Sequence, residues 1–214
     1  MLNGIFFRAR AGCPWRDLPE GFGNWKTIYN RHRRWSLDGT RERVLDGLRA
    51  GCDEAEGRDR TVSADSTVSR ARQHAAGPAA SGPLMTSRGA LPNDRKSGRE
   101  AIGRSRGGLT TRIHLAADLR CRPVARLTSP GQHGDSPRFI PLMDAIRIAR
   151  RGPGRPRRRP GRAMADKACS AAASRAWLRR HHITAVIPVR EDQKKHRRDG
   201  RSGGRPPVFD PGWY

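Results

Sequence analysis

The stretch that most limits what this chain can fold into covers residues 162–190. Its pattern predicts a short strand at 163–165, a helix at about 170–181 that is rich in alanine, and an apolar strand at 183–189. Asp166 ends the first of these strands. An acid in that position lies at the carboxyl edge of a sheet, where open α/β sheets bind ligands. The alternative is an aspartate that only caps a helix or a turn.

A second aspartate has a matching context. Residues 60–68 alternate as a strand does and place Asp65 near the strand's end. Two further strands at 109–117 and 123–128 would form an antiparallel hairpin, and Ser136 followed by Pro137 predicts the start of a helix running through Ile148. Carboxylates at the ends of neighbouring strands can share divalent cations, because hard Mg²⁺ prefers oxygen ligands. No nucleophile–histidine arrangement indicates covalent catalysis.

The first 50 residues predict a small helical domain. Asn24 is a helix N-cap and Gly39 lies just beyond the end of the same helix. The apolar stripe of this helix should pack on a helix at 40–49, and the residues expected in that interface are Trp25, Ile28, Tyr29, His32, Trp35, Val44, Leu45 and Leu48. Its basic flank is either a DNA-facing surface of helix-turn-helix type or a solvated face, and consists of Lys26, Arg31, Arg33 and Arg34.

Charge is the strongest global signal. The 44 lysines and arginines against 20 acids leave a net charge of +24, which indicates a polyanionic partner such as nucleic acid. The four cysteines form no Cys-x-x-Cys pair, so a zinc site or a disulfide framework is not indicated and a reducing cytoplasm fits. No apolar run approaches the ~18 residues of a membrane span. We therefore expect a soluble, cytoplasmic, nucleoid-associated protein.

Three basic stretches, 75–107, 150–162 and 190–207, are predicted as loops. The first is too poor in apolar residues to fold alone, and we expect it to become ordered on DNA. The second holds Arg155, Arg157, Arg158 and Arg159 among prolines and glycines. Its Gly-Arg-Pro segment at 154–156 is either a hook that lays arginine into a narrow minor groove or a solvated loop. We predict a linker at 51–60 and a second domain at 61–214.

Several motifs occur in an order typical of one family. They are residues 62–67 (VSADST) with 70–74 (RARQH), 107–115 (GGLTTRIHL), 165–168 (ADKA) and 183–188 (ITAVIP), preceded by 12–19 (GCPWRDLP) and 25–31 (WKTIYNR). Together they resemble the DDE transposases of bacterial insertion sequences, closest to insertion-sequence family five, with an IS4-like DDE domain. The resemblance covers nearly the whole chain.

The resemblance implies an α/β catalytic domain of ribonuclease-H-like fold, a mixed sheet with flanking helices, behind a small helical domain. It implies that Asp65 and Asp166 are catalytic and bind Mg²⁺ or Mn²⁺. Lys167, next to Asp166, either contacts a DNA phosphate at this edge of the sheet or lies on a solvated helix face. The substrates would be double-stranded DNA, namely the element's terminal inverted repeats and a target, bound by a homo-oligomer. The reaction would be strand cleavage followed by strand transfer.

The chain departs from the family at one point. The family's third carboxylate, in an Arg-Asn-x-x-Glu motif, has no counterpart in the 214 residues. We therefore expect a truncated transposase that lacks the carboxy-terminal part of the fold, binds DNA and is inactive alone. Two alternatives remain: a DNA-binding remnant that represses transposition without catalysis, and a general basic nucleic-acid-binding protein.

Overall fold

A computed structural model describes residues 1–56, 60–70, 101–200, 207 and 209–213. The chain forms two compact units, Met1–Leu48 and Arg49–Tyr214. The helices are α1 (Leu2–Ala11), α2 (Trp25–Leu37), α3 (Thr40–Glu56), α4 (Ser136–Asp144), α5 (Ala172–Arg180) and α6 (Glu191–Arg198). The strands are β1 (Thr61–Arg70), β2 (Gly103–Ser105), β3 (Gly108–Asp118), β4 (Pro123–Pro130), β5 (Arg162–Ala165) and β6 (Thr184–Val186).

The first unit is helical, and both ends of α2 are those that the sequence predicts. The side chain of Asn24 accepts a hydrogen bond of 2.9 Å from the backbone N–H of Lys26, which is the capping contact expected at the start of α2. Gly12 ends α1 with a φ of 66°, and Gly39 follows α2 with a φ of 74°. These left-handed conformations favour glycine, so both helix ends follow from local chemistry.

The predicted packing of α2 against α3 is wrong. Ile28 is buried in the first unit, but Val44, Leu45 and Leu48 of α3 are 56%, 38% and 62% exposed. The apolar face of α2 is covered instead by α1 and by the 3₁₀ turn Trp15–Asp17. Gly4 of α1 brings its backbone close to Ile28, where an added Cβ would lie 3.0 Å from the Ile28 side chain.

Helix α3 also corrects the predicted linker. It continues to Glu56, through the first six of the ten residues assigned to the linker. Alanine and glutamate are good helix formers, and the sequence from Arg49 to Glu56 contains no proline that would stop the helix.

The second unit is built on a six-stranded mixed sheet. Strand β3 pairs antiparallel with β1, β2 and β4, whereas β5 pairs in parallel with both β1 and β6. The order along the main path is β2-β3-β1-β5-β6, with β4 also on β3. Because the central strand β1 joins the antiparallel half to the parallel half, the first aspartate lies in the middle of the sheet. This is the predicted mixed sheet with flanking helices.

Helices α4 and α5 cover the sheet and close the core. Val62 and Ala163 are fully buried on the central strands, and Phe139, Leu142 and Leu178 pack over them from the two helices. Each such side chain contributes about 1.5–3 kcal/mol when it leaves water, except alanine, which contributes less. The core therefore supports the sheet where the pairing of β1 with β5 ends, at Ala64 and Ala165.

The ends of α4 and β6 differ from the predicted ends, because contacts made by nearby residues stop each element early. Helix α4 ends at Asp144, although Ile146 and Ile148 remain buried, and Ile148 forms a β-bridge with Arg157 inside the predicted loop 150–162. The helix N-cap is Asp135, one residue before the predicted Ser136. Strand β6 covers only three of the seven predicted residues, because Ile187 turns its carbonyl to Arg175 (2.7 Å) and Pro188 cannot donate to a ladder.

Two predicted basic loops contain regular structure. Within 75–107, residues 103–105 form β2, while residues 75–100 lie outside the described part of the chain. Within 190–207, residues 191–198 form α6. Acids in the first turn and bases in the last turn complement the helix dipole, a pattern that the basic composition of the stretch conceals. Over the described residues, no helix is both long and apolar enough to cross a membrane.

Candidate active site

The two predicted aspartates lie side by side. In the parallel pairing of β1 and β5, the last matched residues are Ala64 and Ala165, and an aspartate follows each of them directly. Neighbouring strands lie about 4.8 Å apart, so Asp65 and Asp166 are neighbours across the sheet. Both side chains are exposed, whereas the alanines before them are buried. The fold thus brings together two residues that the sequence separates by a hundred positions.

Each carboxylate is oriented by one backbone N–H. Asp65 Oδ1 accepts a hydrogen bond of 2.7 Å from the N–H of Ser66, and Asp166 Oδ1 accepts one of 3.0 Å from Ala168. The second contact caps the 3₁₀ turn Lys167–Cys169. Asp166 is therefore a turn cap, which the sequence offered as the alternative to a ligand-binding residue. In the part of the chain that the structure describes, neither carboxylate is ion-paired. Both keep oxygen atoms available to a ligand.

A narrow cavity of about 10 Å³ opens at this pair. It has roughly the volume of a single water molecule. Besides Asp65 and Asp166, its polar lining consists of His114, Asp135, Arg138 and Cys169. A third carboxylate and three other polar groups therefore surround the pair.

Asp135 is held in place by three side chains. Its Oδ1 accepts hydrogen bonds from Ser66 Oγ at 2.5 Å and from Arg112 Nη1 at 2.9 Å, and it lies 3.4 Å from His114 Nδ1. Burial alone would raise the pKa of Asp135, but the hydrogen bonds from Ser66 and Arg112 and the charge of Arg112 hold that pKa below its usual range. Asp135 is therefore ionised at neutral pH.

His114 forms the buried side of the same network. Its Nε2 lies 2.8 Å from Ser129 Oγ, and the side chain is only 3% exposed. Burial lowers the pKa of His114, the carboxylate of Asp135 acts in the opposite direction, and Arg112 lowers it further. The imidazole is therefore neutral at pH 7, in agreement with its structural position beneath the site.

The thiol of Cys169 is not a nucleophile. Burial raises its pKa to about 12, and the neighbouring carboxylate of Asp166 acts in the same direction. At neutral pH the sulfur stays protonated, and only the thiolate is reactive. The cavity therefore offers carboxylates, and no activated nucleophile among the described residues that line it.

The carboxylate pair fits a divalent cation that has ligands besides the protein. Mg²⁺ is commonly held by one or two carboxylates and completes its shell with water and substrate phosphates. Across the described ranges, no three histidine, cysteine or acidic side chains are arranged as a complete metal site. Asp65 and Asp166 are therefore two adjacent carboxylates that would need further ligands from water or substrate to hold a cation.

The predicted DNA-binding residues lie in three separate places. Lys167 directly follows Asp166 and is exposed. The four arginines of the 150–162 segment line a hollow of about 620 Å³ together with Pro156: Arg155, Arg157, Arg158 and Arg159. In the first unit all four candidates on α2 are exposed, and Lys26 and Arg31 lie over the rings of Trp25 and Trp35 at 5.8 and 5.9 Å.

Sequence reasoning missed Asp135, Ser66 and Arg112 as parts of the site. Asp135 precedes a helix that contains proline near its start, and in sequence it is indistinguishable from a turn or cap residue. Only the pairing of β1 with β3 shows the connection, because it places Ser66 opposite His114 and diagonally across from Arg112, which pairs with Val68. No spacing rule in the sequence predicts that register.

The mixed sheet and the position of the aspartates define a ribonuclease-H-like domain. Residues 56–210 match the family model described as "Transposase DDE domain", and residues 1–45 match the model described as "Putative transposase of IS4/5 family". Because the first of these covers more than half of the chain, the chain belongs to the DDE transposase family. The resemblance that the sequence motifs carry is confirmed.

One curated relative is "Uncharacterized protein y4sN" of Sinorhizobium fredii, which is 37% identical over 76 residues. The match covers 36% of this chain, and the chain spans 57% of the length of that relative. No solved structure gives a significant match.

Proposed function

We propose that this protein binds double-stranded DNA at the terminal inverted repeats of an insertion sequence, and that Asp65 and Asp166 hold Mg²⁺ or Mn²⁺ for strand cleavage and strand transfer. The observation that carries the proposal is the pairing of Ala64 with Ala165, which sets the two carboxylates next to each other. The family match gives this pair its chemistry, since the matched domain is a transposase domain.

In this proposal, residues of the chain orient the two carboxylates and attract the DNA. The N–H groups of Ser66 and Ala168 hold the carboxylates of Asp65 and Asp166 with an oxygen of each left for a ligand. A divalent cation at this pair would stabilise the charge that develops on phosphate oxygens during an in-line displacement. Lys167 and Arg138 adjoin the pair and would attract a DNA phosphate.

Each of the two units carries exposed basic side chains that would contact DNA. The arginines that line the hollow at 155–159 and the exposed cations of α2 are the proposed phosphate contacts. We further propose that the protein acts as a homo-oligomer on DNA and that it works in the cytoplasm, associated with the nucleoid. The net charge of +24 supports a nucleic-acid partner.

The third carboxylate of the family motif is missing from this sequence. We propose that the 214 residues alone cleave DNA poorly, because a cation held by two carboxylates lacks one protein ligand. A second function, repression by occupying the element's ends without cleaving them, is favoured by the absence of that motif from the sequence together with its net charge of +24.

The test is Mn²⁺-dependent nicking of a plasmid that carries the terminal repeats, with the unsubstituted chain, Asp65→Asn and Asp166→Asn. Asp144→Asn, at the exposed end of α4, is the matched control. We expect weak nicking that both site substitutions abolish and the control retains. Nicking that survives both site substitutions would contradict the proposed site.

Binding to the repeats without any nicking would favour the repressor. Binding that is sensitive to salt but has no preference for the repeats would favour a general nucleic-acid-binding protein, the third possibility. The same plasmid with scrambled repeats distinguishes these two results.

A further inference from the structure

Asp135 lies at the start of α4, where an aspartate ordinarily caps the helix with its side chain. Here the side chain makes no capping hydrogen bond. Its oxygen accepts instead from Ser66 Oγ and Arg112 Nη1, on two different strands. The sequence neighbours of Asp135 therefore do not explain its orientation, whereas the strands next to the carboxylate pair do.

The contact with Ser66 leads directly to the first carboxylate. Asp135 fixes the hydroxyl of Ser66, and the backbone N–H of the same Ser66 donates the 2.7 Å hydrogen bond that orients Asp65. The two hydrogen bonds form a chain from α4 through Ser66 to Asp65. Asp135 and Asp65 are therefore connected through one residue, Ser66.

The contact with Arg112 sets the charge of the cavity. Asp135 lies within electrostatic range of the Cys169 thiol, as do Asp65 and Asp166, so three carboxylates surround one small volume. The ion pair of 2.9 Å with Arg112 neutralises one of them. Asp65 and Asp166 make no ion pair among the described residues, although Arg138 also lines the cavity.

We propose that Asp135 is a positioning residue for this site: it holds Ser66 so that Asp65 is oriented toward the cation, and its own charge is cancelled by Arg112. This inference rests on the proposed function, because it assumes a divalent cation at Asp65 and Asp166. Oδ1 of Asp135 is occupied by Ser66 and Arg112, and the ion pair with Arg112 balances the charge of the carboxylate. Groups that orient metal ligands typically contribute about 10- to 100-fold to metal affinity.

The experiment measures the affinity of the full chain for Mn²⁺ by electron paramagnetic resonance of the free ion, so no cleavage is needed. The variants are Asp135→Asn, Ser66→Ala, the two combined, and Ser66→Thr. Asp144→Asn is the control, since it removes a carboxylate from the other end of the same helix. The unfolding midpoint of every variant is measured in EDTA to establish that each one folds.

We expect Asp135→Asn and Ser66→Ala each to weaken Mn²⁺ binding by about 10-fold or more. Because they act through one chain of hydrogen bonds, the double variant should be no weaker than the worse single variant. Ser66→Thr, which keeps the hydroxyl, should bind nearly as the unsubstituted chain does, and Asp144→Asn should bind unchanged.

Three results would overturn the inference. If Ser66→Ala binds normally while Asp135→Asn binds weakly, Asp135 contributes only its charge. If both bind normally, Asp135 has no role in the site. If the unsubstituted chain binds no Mn²⁺, the proposed function fails and the positioning role fails with it, a result that the unsubstituted chain alone reveals.

Discussion

Asp166 has two roles that a single substitution can separate. Its carboxylate caps the 3₁₀ turn through the N–H of Ala168, and it also stands beside Asp65 as a proposed metal ligand. Asparagine caps a turn about as well as aspartate does but carries no charge. Alanine has neither the capping oxygen nor the charge. The sequence alone left the cap and the ligand as alternatives, and the geometry is compatible with both at once.

We predict that Asp166→Ala lowers the free energy of unfolding by about 1 kcal/mol in EDTA, whereas Asp166→Asn leaves it unchanged or slightly raised. The asparagine keeps the cap and removes the repulsion between two adjacent carboxylates. Urea denaturation followed by tryptophan fluorescence measures both variants. Equal destabilisation by the two substitutions would show that the charge of Asp166, rather than its cap, stabilises the fold.

His114 makes stability depend on pH. Burial lowers its pKa in the folded chain, against the opposing charge of Asp135, and with Arg112, Arg138 and His133 acting in the same direction as burial. In the unfolded chain the His114 imidazole takes up a proton near pH 6.5, whereas in the folded chain it is protonated only at a lower pH. The free energy of unfolding should therefore fall as the pH is lowered below about 6.5.

The measurement is urea denaturation at about pH 7.5 and about pH 5.5, on either side of the ordinary histidine pKa, for the unsubstituted chain and for His114→Gln, which cannot titrate. We expect a smaller loss of stability on acidification in His114→Gln. His196→Gln, at an exposed position of α6, is the control. An identical loss in His114→Gln and in the unsubstituted chain would show that His114 is not the titrating group.

At the scale of elements, strand and helix positions follow from local patterns, but ends and partners do not. The alternation in β1, the hairpin of β3 and β4, and the cap at Asn24 are each specified by a few neighbouring residues. The end of β6 and the exposure of Val44 depend on what packs against them, which no local pattern contains. The carboxylate pair was predictable because each aspartate belongs to a recognisable strand unit, although β1 continues to Arg70 and Asp65 lies in its middle rather than near its end. Asp135 instead depends on the register of β1 and β3.

The turn between β3 and β4 is organised by one buried carboxylate. Asp118 is 3% exposed and accepts hydrogen bonds from the N–H groups of Arg120 and Arg122, both at 3.0 Å, and from Arg122 Nε at 2.7 Å. The turn also contains Cys121 with a φ of 58°, a conformation that non-glycine residues rarely adopt. The carboxylate therefore stabilises a turn that local preference does not favour.

We predict that Asp118→Ala lowers the free energy of unfolding by about 2–3 kcal/mol, since it removes a buried, charged hydrogen-bond acceptor. Asp118→Asn should lose less, because its amide oxygen can still accept from the two backbone N–H groups. Chemical denaturation gives both values, and Asp199→Ala at the exposed end of α6 is the control. A loss no larger in Asp118→Ala than in that control would contradict the role given to this turn.

At the scale of the whole molecule, the net charge of +24 predicts DNA binding that weakens steeply with salt. The two compact units each carry exposed cations, and the family match extends over both. The sequence shows the net charge, but it does not show which arginines lie together in one hollow. The side chains at 155–159 form such a hollow and are the sharpest candidates for phosphate binding.

We predict that replacing Arg155, Arg157, Arg158 and Arg159 together with alanine lowers the slope of log K against log salt concentration by about 1 for each DNA phosphate that the variant no longer binds. Fluorescence anisotropy with a repeat-bearing duplex measures the slope. A variant with the same reduction of charge on α5 and α6 is the control: Arg179, Arg180, Lys195 and Arg198, all exposed. Equal slopes in the two variants would mean that total charge, rather than the hollow, determines binding.

The central claim is that Asp65 and Asp166 together hold a divalent cation. The most direct measurement is anomalous diffraction from crystals of the full chain soaked in Mn²⁺. We predict an anomalous peak within coordination distance of a carboxylate oxygen from each aspartate, absent in Asp65→Asn crystals soaked in the same way. Soaked crystals with no peak at this pair, or with a peak that remains after Asp65→Asn, would contradict the claim.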